Sequence, residues 1–418
     1  MKSLTVRLDA DLDLVALGAR SGLLWTRPQA DDPVPVLAGI GRAIRLDVER
    51  PGGAAQAQAA LAALGGPNEV GGPGTGVVAF GAFPFDRTAP GELVVPEIVV
   101  GRGADGRRWL TIVGDGSLGP DDALAQARQV LDGGPPPGSP ATPEPTSYDL
   151  RSPLPPEVWR DDVVAPARDR IRRGELDKVV LARELVLETD HPLAPPAVIG
   201  ALRDSFPTAI VFRIGGFLGA TPELLVSRHG DIVRAHPLAG TAPRSADPAA
   251  DGRLAAGLLA STKDQGEHRI TIEWLLDGLL PFCSYVDAEP EPTIVTLANL
   301  HHLGTRVEGR LSSPPASVLE LAAALHPTPA VGGDPQAAAL AVIAELERAE
   351  RGLYAGPTGW VDGAGNGAFA VAIRSAQIDG LTTRFFAGVG VVADSDPEAE
   401  LAETRTKFRA MLGALIRP

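Results

Sequence analysis

The chain has 418 residues, enough for two or three average domains or for one large α/β or α+β unit. Its hydrophobic content of 44% and mean hydropathy of +0.06 are those of a globular protein, and no run approaches the ~18 uncharged apolar residues of a membrane span. A net charge of −14 argues against nucleic acid as the main partner, although a local cationic pocket could still hold an anionic metabolite.

The single cysteine, Cys283, cannot close an internal disulfide. The opening stretch MKSLTVRLDADLDL places acidic residues where a signal peptide needs an apolar run. Both features suit a cytoplasmic protein. Residues 1–132 hold short strands such as Gly76–Phe80 and a glycine-rich loop, Gly71–Gly76, that lacks the Lys-Ser/Thr of a phosphate loop. Residues 133–146 (GGPPPGSPATPEPT) can form neither helix nor central strand and read as a linker or a long surface loop.

Beyond that loop, strands and helices alternate. Lys178–Leu187 reads as a strand rich in Val and Leu, and Ala209–Ile214, Glu223–Ser227 and Ile232–His236 read as antiparallel strands. A two-residue turn at His229-Gly230 would set Glu223 opposite His236. The spacing predicts a helix over 335–351, with Asp334 as cap, Pro335 first and Gly352 as stop. A second hairpin turning at Asp379-Gly380 would set Arg374 opposite Phe385, with Gly388 and Gly390 on the return strand. Asp396 and Pro397 mark a last helix whose apolar stripe is Leu401, Phe408, Leu412 and Leu415. Hairpins with interspersed helices predict an α+β fold of antiparallel sheets with helices outside.

Two helices carry acidic pairs three residues apart, Asp264 with Glu267 and Glu400 with Glu403, and Lys407 follows on the same side as the second pair. Facing each other, the pairs would offer an oxygen-rich site for a hard cation, most plausibly Mg2+. Such pairs are usually solvated surface, so the surrounding segments must decide. Gly388-Val389-Gly390-Val391-Val392-Ala393 also matches a dinucleotide-binding pattern, but it follows a hairpin strand rather than a βαβ unit.

Those surrounding segments are distinctive. They include Asp177–Arg183 (DKVVLAR), Gly219–Glu223 (GATPE), Leu238–Thr241 (LAGT), Lys263–His268 (KDQGEH) and His302–Thr305 (HLGT). Leu325–Gly333 (LHPTPAVGG), Gly352–Trp360 (GLYAGPTGW), Ile373–Ser375 and the acidic stretch from Asp394 continue the series. Together, over roughly 155–412, they resemble the chorismate-utilising enzymes, the group that includes isochorismate, salicylate, anthranilate and aminodeoxychorismate synthases. The resemblance implies one composite domain over 1–418, in which 1–132 is a variable portion and 155–412 a chorismate-binding catalytic core.

It also implies roles. Lys178 would be the base that activates a nucleophile, which needs burial to keep its amine neutral, and Glu223 the acid that protonates the departing hydroxyl. Glu267 and Glu403 would bind Mg2+, with Asp264 and Glu400 close by. Arg374 and Tyr354 would take the enolpyruvyl carboxylate, with Gly388 and Gly390 allowing close backbone approach. Gly240, Thr241, His302 and Lys407 would complete the substrate site, while His301 stays structural. Ala239 stands where aminodeoxychorismate synthases carry a lysine nucleophile, and Lys178 where anthranilate synthases carry glutamine. The resemblance thus points to water as nucleophile and isochorismate as product, a compound that in this group feeds menaquinone or siderophore synthesis. The alternatives are salicylate, formed by further elimination of pyruvate, and a non-catalytic subunit that binds chorismate and a divalent ion. A monomer is expected, with no amidotransferase, nucleic acid or membrane as partner.

Overall fold

Short β-branched runs punctuated by glycine and proline form antiparallel ladders along the chain. The computed structural model describes residues 1–27, 34–49, 52–133, 143–297 and 300–416. Among them are a twelve-stranded sheet, a nine-stranded sheet and a small sheet of three strands. The two large sheets share apolar clusters: Val179, Leu181 and Val389 of the first pack with Val226, Val233 and Phe369 of the second. Trp25 and Phe212 likewise meet Phe80 and Trp360. The helices Pro195–Ser205 and Pro397–Ile416 cover the outer face of the larger sheet, where Phe408 meets Phe385 edge-on at 5.6 Å.

N-terminal strands are threaded into both large sheets. Leu23–Thr26 pairs with Ile210–Ile214, and Val78–Ala82 pairs with Pro357–Asp362. The glycine-rich loop is tied in as well, because Gly74 N donates to buried Asp362 Oδ2 at 3.1 Å. Of the proline-rich stretch, residues 134–142 lie outside the described residues; Thr146, its last residue, and Ser147, the next, bond to Asp190.

The strand Lys178–Thr189 pairs along one edge with Thr382–Val391, from Val179–Val391 to Glu188–Thr382. Its other edge is paired only near the ends, with Gly333–Asp334 and with Tyr148–Arg151. In the gap, side chains do what a strand would. Glu347 Oε1 accepts from Ala182 N at 2.6 Å, and Arg351 Nη2 donates to Val180 O at 2.7 Å. Glu347 and Arg351 also bond each other at 2.8 Å, are 5% and 3% exposed, and Arg351 lies over the Phe85 ring at 4.0 Å.

Several local expectations shift. The first turn is Gly230-Asp231, so His229 pairs with Ile232, and Leu224 rather than Glu223 lies opposite His236, with a bulge between 224 and 227. The second turn is Gly380-Leu381, with Asp379 opposite Thr382. In both hairpins the glycine is the first turn residue, where positive φ is required, and not the second. Arg374 is therefore in no ladder; it sits where the chain crosses from Gly367–Val371 in one sheet to Ser375–Asp379 in the other, at φ 49°. The helix expected over 335–351 spans Gln336–Leu346, because Glu347 turns away to the Lys178 strand, and Asp334 pairs with Lys178 instead of capping. Met411 takes the core position expected of Leu412, which is only half-buried. The dinucleotide reading fails: Gly388–Val391 is in an antiparallel ladder, and the next helix starts at Pro397.

Removing one member of the buried Glu347–Arg351 pair leaves a charge without a partner. Glu347→Ala is expected to cost about 3–5 kcal/mol in a urea unfolding titration, and a loss below ~1 kcal/mol would mean that the pair does not support the strand.

Candidate active site

One cavity of about 260 Å³ is lined by all fourteen side chains and glycines singled out from the sequence. Lys178, Gly388 and Gly390 come from the adjoining strands of the large sheet, and Glu223 from the two-residue link between Phe217–Thr221 and Leu224–His229. Gly240 and Thr241 lie on Leu238–Pro243, and His302 on Leu300–Gly304, paired in the small sheet. Asp264 and Glu267 project from the helix Thr262–Leu279, and Glu400, Glu403 and Lys407 from Pro397–Ile416. Tyr354 and Arg374 come from the connections flanking Pro357–Val371.

At one end are ionisable groups sealed from solvent. Glu223 is 3% exposed, and its Oε1 finds no hydrogen-bond partner among the described residues. Burial pushes its carboxyl up to about 8, against the pull of Arg374 and Lys178, so at pH 7 it holds its proton. Burial brings the Arg374 guanidinium down to about 10, opposed by Tyr354 and Glu223, and its Nη1 is also without a partner. Arg374 Nη2 donates to His302 Nε2 at 3.1 Å. His302 Nδ1 is then the protonated nitrogen, facing Gly240 O at 3.2 Å and Thr241 Oγ1 at 3.0 Å. Burial, with Arg374 and Lys407, holds His302 well below its usual range, consistent with a neutral ring. Tyr354 stacks on Phe386 at 5.3 Å, and burial raises its phenol to about 12, so it serves as a donor.

At the other end, carboxylates meet lysines. Lys178, 8% exposed, donates from Nζ to Glu267. Burial alone would raise the Glu267 carboxyl, but Lys178, then Lys263 and Lys407, hold it below the ordinary value. Lys407 bonds Glu403 at 2.7 Å and Gly388 O at 2.8 Å. Glu400 is raised, first by burial and also by Glu403, while Ser395 Oγ donates to it at 2.7 Å. Asp264 accepts from Ser261 Oγ. The glycines matter sterically: a Cβ on Gly390 would stand 2.9 Å from Lys178 Cε, and one on Gly388 3.2 Å from Tyr354 Oη.

The donor set suits a hard divalent cation, since four carboxylates on two helices border one cavity and two of them, Glu400 and Glu403, repel each other. No group of three His, Cys, Asp or Glu side chains is already gathered as a cluster among the described residues, and two of the four carboxylates are held by lysines. His301 bonds Asp251 and Thr296 outside the cavity wall, a structural arrangement. Sequence reasoning missed Lys263, a further cation in the cavity, although it stands four residues before Glu267 on the same helix. It also missed the Glu347–Arg351 brace behind the Lys178 strand, which only the i,i+4 spacing of the two residues hinted at.

The geometry has clear relatives. A family model described as chorismate binding enzyme matches residues 15–416, further toward the N-terminus than the segments legible in the sequence, and the chain belongs to that family. More particularly, it is similar to isochorismate synthases. Isochorismate synthase DhbC of Bacillus subtilis is 37% identical over 346 residues, 80% of each chain. A Mycobacterium tuberculosis protein provisionally named isochorismate synthase MenF is 38% identical over 357 residues, 82% of this chain and 87% of its own. The solved structure of MenF, the menaquinone-specific isochorismate synthase from Escherichia coli, superposes with a TM-score of 0.80 at 26% identity, covering 99% of this chain and 94% of that one. No helix among the described residues is long and apolar enough to cross a membrane.

A carboxyl held at about 8 in the fold against an ordinary 4.5 binds more protons folded than unfolded between those pH values. Its contribution to stability is therefore fully present below about pH 4.5 and is lost as pH rises through about 8. Glu223→Gln lacks that loss, so its melting temperature relative to wild type is expected to climb from pH 5 to pH 9. Parallel curves across that range would mean that Glu223 is not a buried acid.

Proposed function

We propose that this protein is an isochorismate synthase, converting chorismate to isochorismate with water as nucleophile. The observation that carries the reading is Glu223: a buried, protonated acid with an unpartnered oxygen, in one cavity with Lys178. Buried polar atoms in folded proteins are nearly always satisfied, so an orphan acid and an orphan guanidinium in one cavity suit a polar ligand that completes them. Four cations, Lys178, Lys263, Arg374 and Lys407, line that cavity in a chain of net charge −14, as a dicarboxylate substrate requires.

In this mechanism Lys178 Nζ takes a proton from water as its oxygen bonds to ring carbon C2. The ring double bonds shift, the C4–O bond breaks, and Glu223 gives its proton to the departing hydroxyl, which leaves as water. One water enters and one leaves, so substrate and product are isomers. Lys178 must release Glu267 to take this part. Arg374, steadied by His302, and the Tyr354 hydroxyl would fix the enolpyruvyl carboxylate. Ala239, in the cavity wall, offers no amine to form a covalent adduct. Glu267 and Glu403, with Asp264 and Glu400 beside them, would hold Mg2+. When bound, the ion supplies positive charge against the ring carboxylate. With water attacking, no ammonia-supplying partner is needed.

The test is chromatography of purified protein with chorismate and Mg2+, with and without ammonium. Isochorismate approaching equilibrium with chorismate, without pyruvate, is expected. Salicylate with stoichiometric pyruvate would move the reading to a salicylate synthase, and no consumption of chorismate would leave a binding subunit. Lys178→Ala should lower kcat at least ~10²-fold while Mg2+ affinity stays within about threefold. Glu403→Gln should raise the Mg2+ concentration for half-maximal rate about tenfold or more, and an unchanged requirement would remove Glu403 as a ligand.

A further inference from the structure

A second cavity, of about 300 Å³, lies against the first, and the two share Lys178, Lys263 and Glu267 in their walls. The Lys178–Glu267 ion pair is thus the partition between them. The outer cavity reaches solvent past Ile270, 41% exposed, and Ala393, half-buried. Its walls also carry three aspartates. Asp177 and Asp394 are exposed, and Asp334 is half-buried opposite Lys178 in the ladder. The main cavity holds all four cations, including Arg374 and Lys407, which the outer one lacks, whereas the outer cavity adds three aspartates to the shared Lys178, Lys263 and Glu267.

We propose that the outer cavity is a solvent port to Lys178, through which water reaches and leaves the nucleophile position while the substrate fills the main cavity. The inference rests on the isochorismate synthase reading. That reaction needs a fresh water at Lys178 in each turnover, whereas the water it makes forms at Glu223. A ring bound between the two groups blocks direct passage from one to the other. The three aspartates repel a dicarboxylate but not a neutral water, so substrate and nucleophile are kept to separate approaches. Opening the port requires only that Glu267 and Lys178 part, which is also what frees Nζ to act.

Constricting the outer mouth tests this without touching the machinery. Ile270→Trp and Ala393→Phe, on different elements, are compared with wild type and with the conservative Ile270→Leu and Ala393→Ser. Each constricted variant should lose about tenfold in kcat with KM for chorismate within about twofold, while the conservative variants keep the wild-type rate. If both constricted variants fold and turn over at the wild-type rate, or if the conservative variants lose as much as the constricted ones, the outer cavity is not the route. If wild type itself forms no isochorismate, the functional reading fails first and the port falls with it.

Discussion

The ladder between Lys178–Thr189 and Thr382–Val391 is the constraint on which the rest of the molecule depends. Through it, Lys178 lies beside Gly390, Tyr354 reaches Gly388, and the helix with Glu400, Glu403 and Lys407 follows directly from the second strand. The ladder's free edge lacks a neighbour for most of its length, and a buried ion pair fills the gap. A charged pair is a poor source of stability compared with apolar packing. Its value here is directional: Glu347 and Arg351 accept from and donate to specific backbone atoms at Ala182 and Val180, which an apolar substitute could not do. Arg351 also holds Val331 O, joining the brace to the loop that closes the cavity beside Val180.

The electrostatics of the cavity divide into two regimes. Near Glu223 and Arg374, desolvation dominates, and each group is driven toward its neutral form. Near Glu267 and Glu403, lysines offset the carboxylates directly. A proton donor is thus kept loaded at one end while charged groups are kept exchangeable at the other. The two regimes are neighbours in one small space because strands of two sheets, two helices and the connections around the second large sheet converge on it.

Most of the site was legible in the sequence because its residues sit in short segments of unusual composition, such as LAGT, KDQGEH and the acidic stretch after Asp394. Every residue chosen from those segments lines the cavity. Hairpin registers were less legible. Asp379-Gly380 and His229-Gly230 look like two-residue turns with glycine second, but in each case the chain places glycine first, at positive φ, which moves the partner of each residue beside the turn by two positions. The end of the helix before Glu347 was illegible for another reason: helix propensity continues through Glu347 and Arg348, and a hydrogen bond from a strand far away in sequence overrides it. The port was equally invisible, since Ile270 and Ala393 carry no signature and meet only through the folded arrangement of Lys178 and Glu267.

The same ladder has a consequence for how the protein is made. Val179 pairs with Val391, so 212 residues must be synthesised after the first before its partner exists. At a synthesis rate of about 5–20 residues per second, the ribosome leaves that apolar strand without its partner for roughly 10–40 s. The strands Ile210–Ile214 and Leu23–Thr26 can pair well before then, so a partly built sheet with an open edge precedes the finished enzyme on every nascent chain. The lifetime of that open apolar edge is set by the position of the last two elements in the chain rather than by the stability of the finished fold.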